Sequence, residues 1–347
     1  MLPYVLRRLA VAACLLFVLS LITFVMYSQI PADPAGFVLD LRIATPAQIA
    51  KVHHQLGIDR PIWVQYGKFV WRALHGDFGL SWNGIRFSVT GRAEGVPVGP
   101  RVWHAATVTA ALVAGGFVLL LLVAVPLGSF VATRPRGIAD RLSLVLSLAA
   151  ISTHPLVVGI LLQLFVGERW QLAPPSGYCP VFGHDPDTLC GGPLDWGSHL
   201  VLPWITFALF FVALYLRMMR ARMLEVLEEP YVRTARAKGA SEFRVVGGHA
   251  LRNAISPIVT MVGMDAGMAV GIALYVETVF ALPGLGRTTI AALQGVAGYD
   301  LPVIVAVVIV TAVAIILLNL AVDLALYAID PTIARQGRKA LAHTAAA

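Results

Sequence analysis

Residues 228–257 read EEPYVRTARAKGASEFRVVGGHALRNAISP, a short polar island between two apolar stretches. It is dense in positive charge: Arg233, Arg236, Lys238, Arg244 and Arg252. Two brief helical segments fit it. Residues 231–238 form the first, stopped by Gly239, which enters the left-handed conformation without a Cβ clash. Ser241 can cap the second, with Glu242 in its first turn, where a carboxylate suits the positive end of the helix dipole. A loop that only crosses back into a membrane needs no such construction. A docking surface does.

Around the island the chain is apolar. Its 347 residues are 58% hydrophobic and only 13% charged, with a mean hydropathy of +0.78, whereas soluble domains carry about a quarter charged residues. The reading is a polytopic membrane protein. A formal charge of +7 would also suit nucleic acid, but the positions of the charges account for it without any nucleic-acid partner. Three cysteines are too few for a disulfide scaffold or a Cys-rich metal site. No G-x-x-x-x-G-K-[ST], H-E-x-x-H or G-x-S-x-G occurs, so no catalytic residue, metal ligand or bound cofactor is expected in this chain.

Outward from the island, six spans emerge. Residues 1–30 combine a basic start with an apolar run over 9–30, long enough for a roughly 30 Å hydrocarbon core. A cleavable signal peptide would be shorter and end in a small-residue site. Val11-Ala12-Ala13-Cys14 has its apolar stretch after the Cys, not before it as lipoprotein processing requires. An uncleaved anchor with a cytoplasmic N-terminus is expected. Residues 31–102 turn polar and form an extracytoplasmic insertion. Within it Thr45 caps a helix with Pro46 at its first position, Gly57 closes it, and a second helix over 61–75 aligns Ile62, Tyr66, Phe69, Val70 and Leu74. The core, 103–329, holds spans at 103–132, 142–166, 200–216, 255–282 and 301–329, with a cytoplasmic loop at 228–254; a cytoplasmic tail, 330–347, follows. The cytoplasmic segments so assigned hold 16 of the 26 Lys and Arg, and the two short outer loops hold only Arg169 and Arg287. Positive charge stays inside, so both ends are placed in the cytoplasm.

Five stretches together resemble one family. They are MLPYVLRRLA through IPADPA (1–35), TPAQIAKVHHQLGIDRPIWVQYGKFVWRALHGDFGLSW (45–82), YVRTARAKGASEFRVVGGHALRNAISPIVT (231–260), VETVFALPGLGRTTIAAL (276–293) and NLAVDLALYAIDPTIA (319–334). In this order the chain resembles the B-type permease subunit of dipeptide, oligopeptide and nickel ABC importers. The resemblance implies an all-α integral membrane protein with six transmembrane helices, the type I (MetI-like) permease fold and an insertion after helix 1. It implies that 231–251 docks on a separate ATPase subunit. The family spacing, E-A-A then three residues then Gly, falls on Arg233, Thr234, Ala235 and Gly239. Arg replaces the first Glu, and His249-Ala250-Leu251-Arg252 stands where the family has I-x-L-P. The coupling residues implied are Tyr231, Arg233, Thr234, Ala235, Arg236, Ala237, Lys238 and Gly239. Partners implied are a second homologous permease, two ATPase subunits that bind ATP and Mg, an extracytoplasmic substrate-binding protein, a peptide cargo and bacterial inner-membrane lipid.

Polar residues inside spans are costly, so each needs a reason. Asp265 either lines the cargo pathway or makes a hydrogen bond between helices, with Gly263, Gly267 and Gly271 permitting close approach. His154, before Pro155, either lines the pathway or packs locally. Glu277 with Pro283 and Gly284 fixes an outer turn or an external gate. Asn319 and Asp323 are expected to hold neighbouring helices. Cys179 and Cys190, in an outer loop, are either a disulfide or two thiols. The rival class is a stand-alone secondary transporter or channel, which would favour inverted repeats and paired ionisable groups at midplane. An intramembrane enzyme would need a carboxylate pair or a His cluster, and a pure scaffold would leave transport intact when removed.

Overall fold

Long apolar runs become helices because hydrocarbon offers the backbone no hydrogen-bond partner but itself. The computed structural model describes residues 2–29, 35, 45–56, 59–83, 86–87, 93–138, 140–143, 145, 153–182, 190–294 and 299–329. Among the described residues three helices are long and apolar enough to cross a membrane: Val98–Thr133, Pro193–Leu227 and Leu301–Leu326. Ser256–Met264 and Ala266–Val279, bent by 61° from one another, supply a fourth if they form one span. The first helix is Leu2–Gln29. Among the described residues the strands are two short ones, Arg86–Phe87 antiparallel to Ala93–Glu94, so the expected all-α fold carries a small β-ribbon in its 31–102 segment. The chain divides into two compact units, Met1–Ala110 with Pro283–Ile316, and Ala111–Leu282 with Leu317–Ala347.

The first unit is built on local caps and one distant clasp. Thr45 and Gln48 form a reciprocal capping box: the Gln48 N–H donates to Thr45 Oγ1 at 3.4 Å and the Thr45 N–H to Gln48 Oε1 at 2.8 Å. Both orphan donors at the start of Pro46–Leu56 are thereby answered. Gly57 lies outside the described residues. Helix Ile62–Leu74 packs Tyr66 and Phe69 on Phe24 of the first helix, ring centroids 5.3 and 5.7 Å apart. Tyr66 Oη also meets Ser20 Oγ at 2.9 Å. Leu74, placed on that face by its spacing, is instead 77% exposed.

Beyond this helix, 79–82 pairs with 96–98, through Ser81 N–H to the Val96 carbonyl and Val98 N–H to the Gly79 carbonyl, each 2.9 Å. The core of the unit joins Val98, Val102 and Ala105 with Leu285, Ala292, Val303, Ala306 and Val307, with Phe78 against it. At its edge Asp300, 2% exposed, accepts from Ser81 Oγ, from the Trp82 N–H at 3.1 Å and from the Asn83 N–H at 3.4 Å. One buried carboxylate thus answers three donors of a tight loop.

The second unit packs helices through small residues and rings. A Cβ on Gly115 would stand 2.2 Å from the Trp204 indole, and one on Gly116 2.4 Å from the Phe207 ring. Those glycines let Val98–Thr133 come within ring thickness of Pro193–Leu227. Van der Waals packing of this kind holds helices together where lipid removes the hydrophobic incentive. Phe117, Phe207 and Phe211 continue the contact at 5.2–5.8 Å between centroids. Pro193–Leu227 has 35 residues, about 52 Å at 1.5 Å each, so the expected 200–216 span is only its middle.

Two spans depart from the expected single helices. The 142–166 span is interrupted at His154, which has φ −72° and ψ 139° and caps a new helix, Pro155–Leu162. The residue before a proline is pushed out of the α region, and proline at the first helical position lacks only an N–H that would be unpaired anyway. The 255–282 span turns at Asp265, whose ψ of −3° lies far from the helical −42°. The second span, expected from 103, starts instead at Val98, the last runs Leu301–Ile329 as expected, and a short helix, Leu285–Leu293, precedes it. The 330–347 tail lies outside the described residues.

Replacing Asp300 by Ala removes the acceptor of three loop donors, two of them buried. A loss of about 1–3 kcal/mol for each buried group left unpaired is expected, seen as a lower melting temperature in detergent and faster proteolysis within 75–98. Asp300→Asn, which keeps one acceptor oxygen, should fall between the two.

Candidate functional site

The island is a small folded body. Pro230–Ala237 begins with proline at its first turn and ends in a Schellman turn: Gly239 has φ +79°, its N–H donates to the Arg236 carbonyl at 2.9 Å, and the Ala240 N–H donates to the Ala235 carbonyl at 3.2 Å. That pattern is why glycine stands at 239. Val232, Val245 and Ala250 are wholly buried and Ala254 nearly so, giving the island an inner face. Ser241 occupies the cap position of Glu242–Arg244 but makes no side-chain capping bond. Glu242 instead reaches back to Arg236, 2.8 Å to Nε and 3.3 Å to an Nη. A turn of π-helix, Val245–Ala250, and Leu251–Ala254 complete the second segment. Asn253 Nδ2 donates to Tyr231 Oη at 2.7 Å, tying its end to the start of the first.

Arg233, Arg236 and Lys238 are the cations among the implied coupling residues. Arg236 is engaged within the island, whereas Arg233, Lys238, Arg244 and Arg252 have no ion-pair partner among the described residues. Thr234 Oγ1 donates back to the Pro230 carbonyl at 3.0 Å; Ala235 is half-buried and Ala237 exposed.

An ion pair sits near the island's root. Arg220 grips Asp140 with Nε at 2.5 Å and an Nη at 2.7 Å, and the Arg136 N–H adds a bond at 2.9 Å. Asp140 is 4% exposed. The guanidinium hydrogen bonds, and then the backbone N–H, hold its carboxyl below the usual carboxylate range.

Among the intramembrane candidates, Asp265 accepts a hydrogen bond from Tyr215 Oη at 2.8 Å, helix to helix across the bend. Of the three glycines near it only Gly263 meets a neighbour closely, where a Cβ would stand 3.0 Å from Val322 and 3.3 Å from Asn319 Oδ1. Gly267 and Gly271 face open space, beside Met264 at 79% and Met268 at 56% exposure. His154 accepts the Leu156 N–H through Nδ1 at 3.2 Å, and its ring stands edge-on to Tyr275 at 4.9 Å. Asp265 and His154 are thus attached to different elements, with Tyr215 and Tyr275 as their respective neighbours.

The outer turn also closes on the backbone. Glu277 is fully buried, and its carbonyl accepts the Leu282 N–H at 2.9 Å. Ala281, at φ +55°, takes the left-handed place that glycine usually fills, at a cost of about 1–2 kcal/mol. Pro283 stands two residues on, as is common after such an ending. Gly284 is extended and caps Leu285–Leu293, while Leu285 N–H donates to Thr109 Oγ1 at 2.8 Å. A disulfide joins Cys179 to Cys190, Cα atoms 5.7 Å apart. No group of three or more His, Cys, Asp or Glu among the described residues could hold a metal.

Because Asp140 titrates lower in the fold than in the unfolded chain, its pairing is fully stabilising above the ordinary value near 4. That contribution disappears as pH falls through the lower, folded value. Asp140→Asn should lower stability at neutral pH and flatten the acid limb below about pH 4, measured by thermal melts in detergent across that range.

Residues 124–335 match the family described as binding-protein-dependent transport system inner membrane component, and residues 1–81 match its N-terminal counterpart. The dipeptide transport system permease protein of Escherichia coli K12 is 35% identical over 96% of this chain and 99% of its own length. A putative peptide permease protein of Brucella ovis is 36% identical, again over 96% and 99%. The glutathione transport system permease protein of an Escherichia coli O1:K1 strain is 34% identical over the same shares. A chain in a structure of the MetNI methionine ABC transporter has 18% identity and a TM-score of 0.49, covering 66% of this chain and 96% of that one. The chain belongs to the binding-protein-dependent transport system inner membrane component family: it is an integral-membrane permease subunit of an ABC importer, a transport component whose ATPase resides in separate subunits.

Proposed function

We propose that this permease carries peptides, dipeptides or oligopeptides, across the bacterial inner membrane by alternating access. It pairs with a second homologous permease, and the cargo path runs between them. Two ATPase subunits hold the ATP and Mg, while this chain binds no cofactor. A substrate-binding protein delivers cargo from outside, and 31–102 and the 168–198 loop are contact surfaces for it or for the partner permease. The chain crosses the membrane six times with both ends in the cytoplasm, consistent with the concentration of Lys and Arg in the segments assigned inside.

Docking of 231–251 on the ATPase is the step that converts nucleotide turnover into movement. One observation carries it: the island is braced against itself, by the Gly239 turn, the Arg236–Glu242 pair and the Tyr231–Asn253 bond, while Arg233, Lys238, Arg244 and Arg252 are exposed with no ion-pair partner among the described residues. A rigid body bearing free charge is suited to transmit force. In the membrane, the Asp265–Tyr215 bond holds the bend of the fifth span. The open Gly267–Gly271 face beside it lines the path, with His154 near its outer part. Glu277, Pro283 and Gly284 shape the outer closure.

Reconstitution tests the whole reading. With the second permease, the ATPase subunits and the binding protein, ATP should drive accumulation of labelled dipeptide; the chain alone should transport nothing. Gradient-driven uptake by the chain alone would establish the stand-alone transporter instead. Gly239→Val forces a β-branched residue into φ +79°, and it should cut peptide-stimulated ATP hydrolysis while leaving membrane insertion unchanged.

A further inference from the structure

Phe243 has no role in anything described so far. It is 91% exposed, on a segment whose neighbours Ser241, Glu242 and Arg244 are exposed too. An aromatic ring can bury about 150–250 Å², so leaving one in water on a cytoplasmic face forgoes a large contact. The backbone beneath it is fixed. Val245, two residues on, is wholly buried and donates its N–H to the Ser241 carbonyl at 2.9 Å. Glu242, one residue before, is held by Arg236. The ring therefore projects from a pinned turn.

We infer that Phe243 is the apolar anchor of the island and inserts into a pocket on the ATPase subunit. The inference rests on the docking reading above and says which side chain supplies the grip. Interfaces draw most of their affinity from a few desolvated aromatic or Arg anchors ringed by polar groups. Phe243 fits the first part. The unpaired cations Arg244, next in sequence, and Lys238, at the Gly239 turn, fit the second, and they ask for acidic groups around the pocket. Arg233 and its neighbours on Pro230–Ala237 then set orientation and encounter rate more than affinity.

Two measurements on the assembled transporter test this. In the first, Phe243→Ala and Phe243→Leu are compared with the unaltered chain for ATPase subunit retained after detergent purification. Because the ring touches little of its own chain, Ala should leave folding intact yet weaken retention about tenfold or more, with Leu between. Arg233→Ala should act chiefly through salt dependence. In the second, benzoylphenylalanine at position 243 is photoactivated in membranes. Adducts should form with the ATPase subunit and vanish when that subunit is omitted. Full retention by Phe243→Ala, or adducts to lipid alone, would overturn the anchor. If the unaltered permease retained no ATPase at all, the docking reading itself would fall.

Discussion

A chain inside hydrocarbon can bond its backbone only to itself, and at His154, Asp265 and Ala281 a particular group answers the irregularity. His154 lends a ring nitrogen to the N–H that a new helix leaves unpaired. At Asp265 the backbone ladder runs on, 2.8 Å on both sides of the bend, and the carboxylate that the bend exposes receives a phenol hydrogen. At Ala281 the chain accepts an uncomfortable dihedral so that the Glu277 carbonyl finds a donor. These three breaks are therefore constructed joints, each with one identifiable polar partner.

The polar ends obey the same rule with different materials. Near the island, Asp140 and Arg220 make a bidentate pair with an added backbone bond, so neither charge is left without an answer in a poorly solvated place. In the other unit, Asp300 gathers a loop 219 residues earlier in the chain. Removing water from charge is expensive unless the charge is fully bonded, and both sites meet that condition with two or more partners.

How much of this could be read in the residues depends on range. Apolar run length marks the long helices, because it acts locally. Gly239 and the Thr45-Pro46 pair announce their turns through the dihedral needs of single residues. The Tyr215–Asp265, Asp140–Arg220 and Ser81–Asp300 bonds join residues 50, 80 and 219 apart, and such pairing leaves no periodic trace. Asp265 could be singled out for its cost, but not its partner. The sense of the glycine spacing near it was legible only in part, since Gly263 packs and Gly267 and Gly271 do not. The left-handed Ala281 was hidden by Gly284 three residues on, a more obvious turn former that turns out to be extended. Phe243 leaves no sequence signal, because a lone aromatic among polar residues carries no pattern.

The Pro193–Leu227 helix runs without a break for 11 residues past position 216 and meets the island almost directly, at Pro230. Those residues make a stalk of about 16 Å. Tilting such a stalk by about 10° sweeps its tip roughly 3 Å, the scale on which packed helices shift when proteins switch state. A small rotation at the buried aromatic packing would in this way be geared up into a larger stroke at its far end, and the reverse stroke would be geared down into fine adjustment of the bundle.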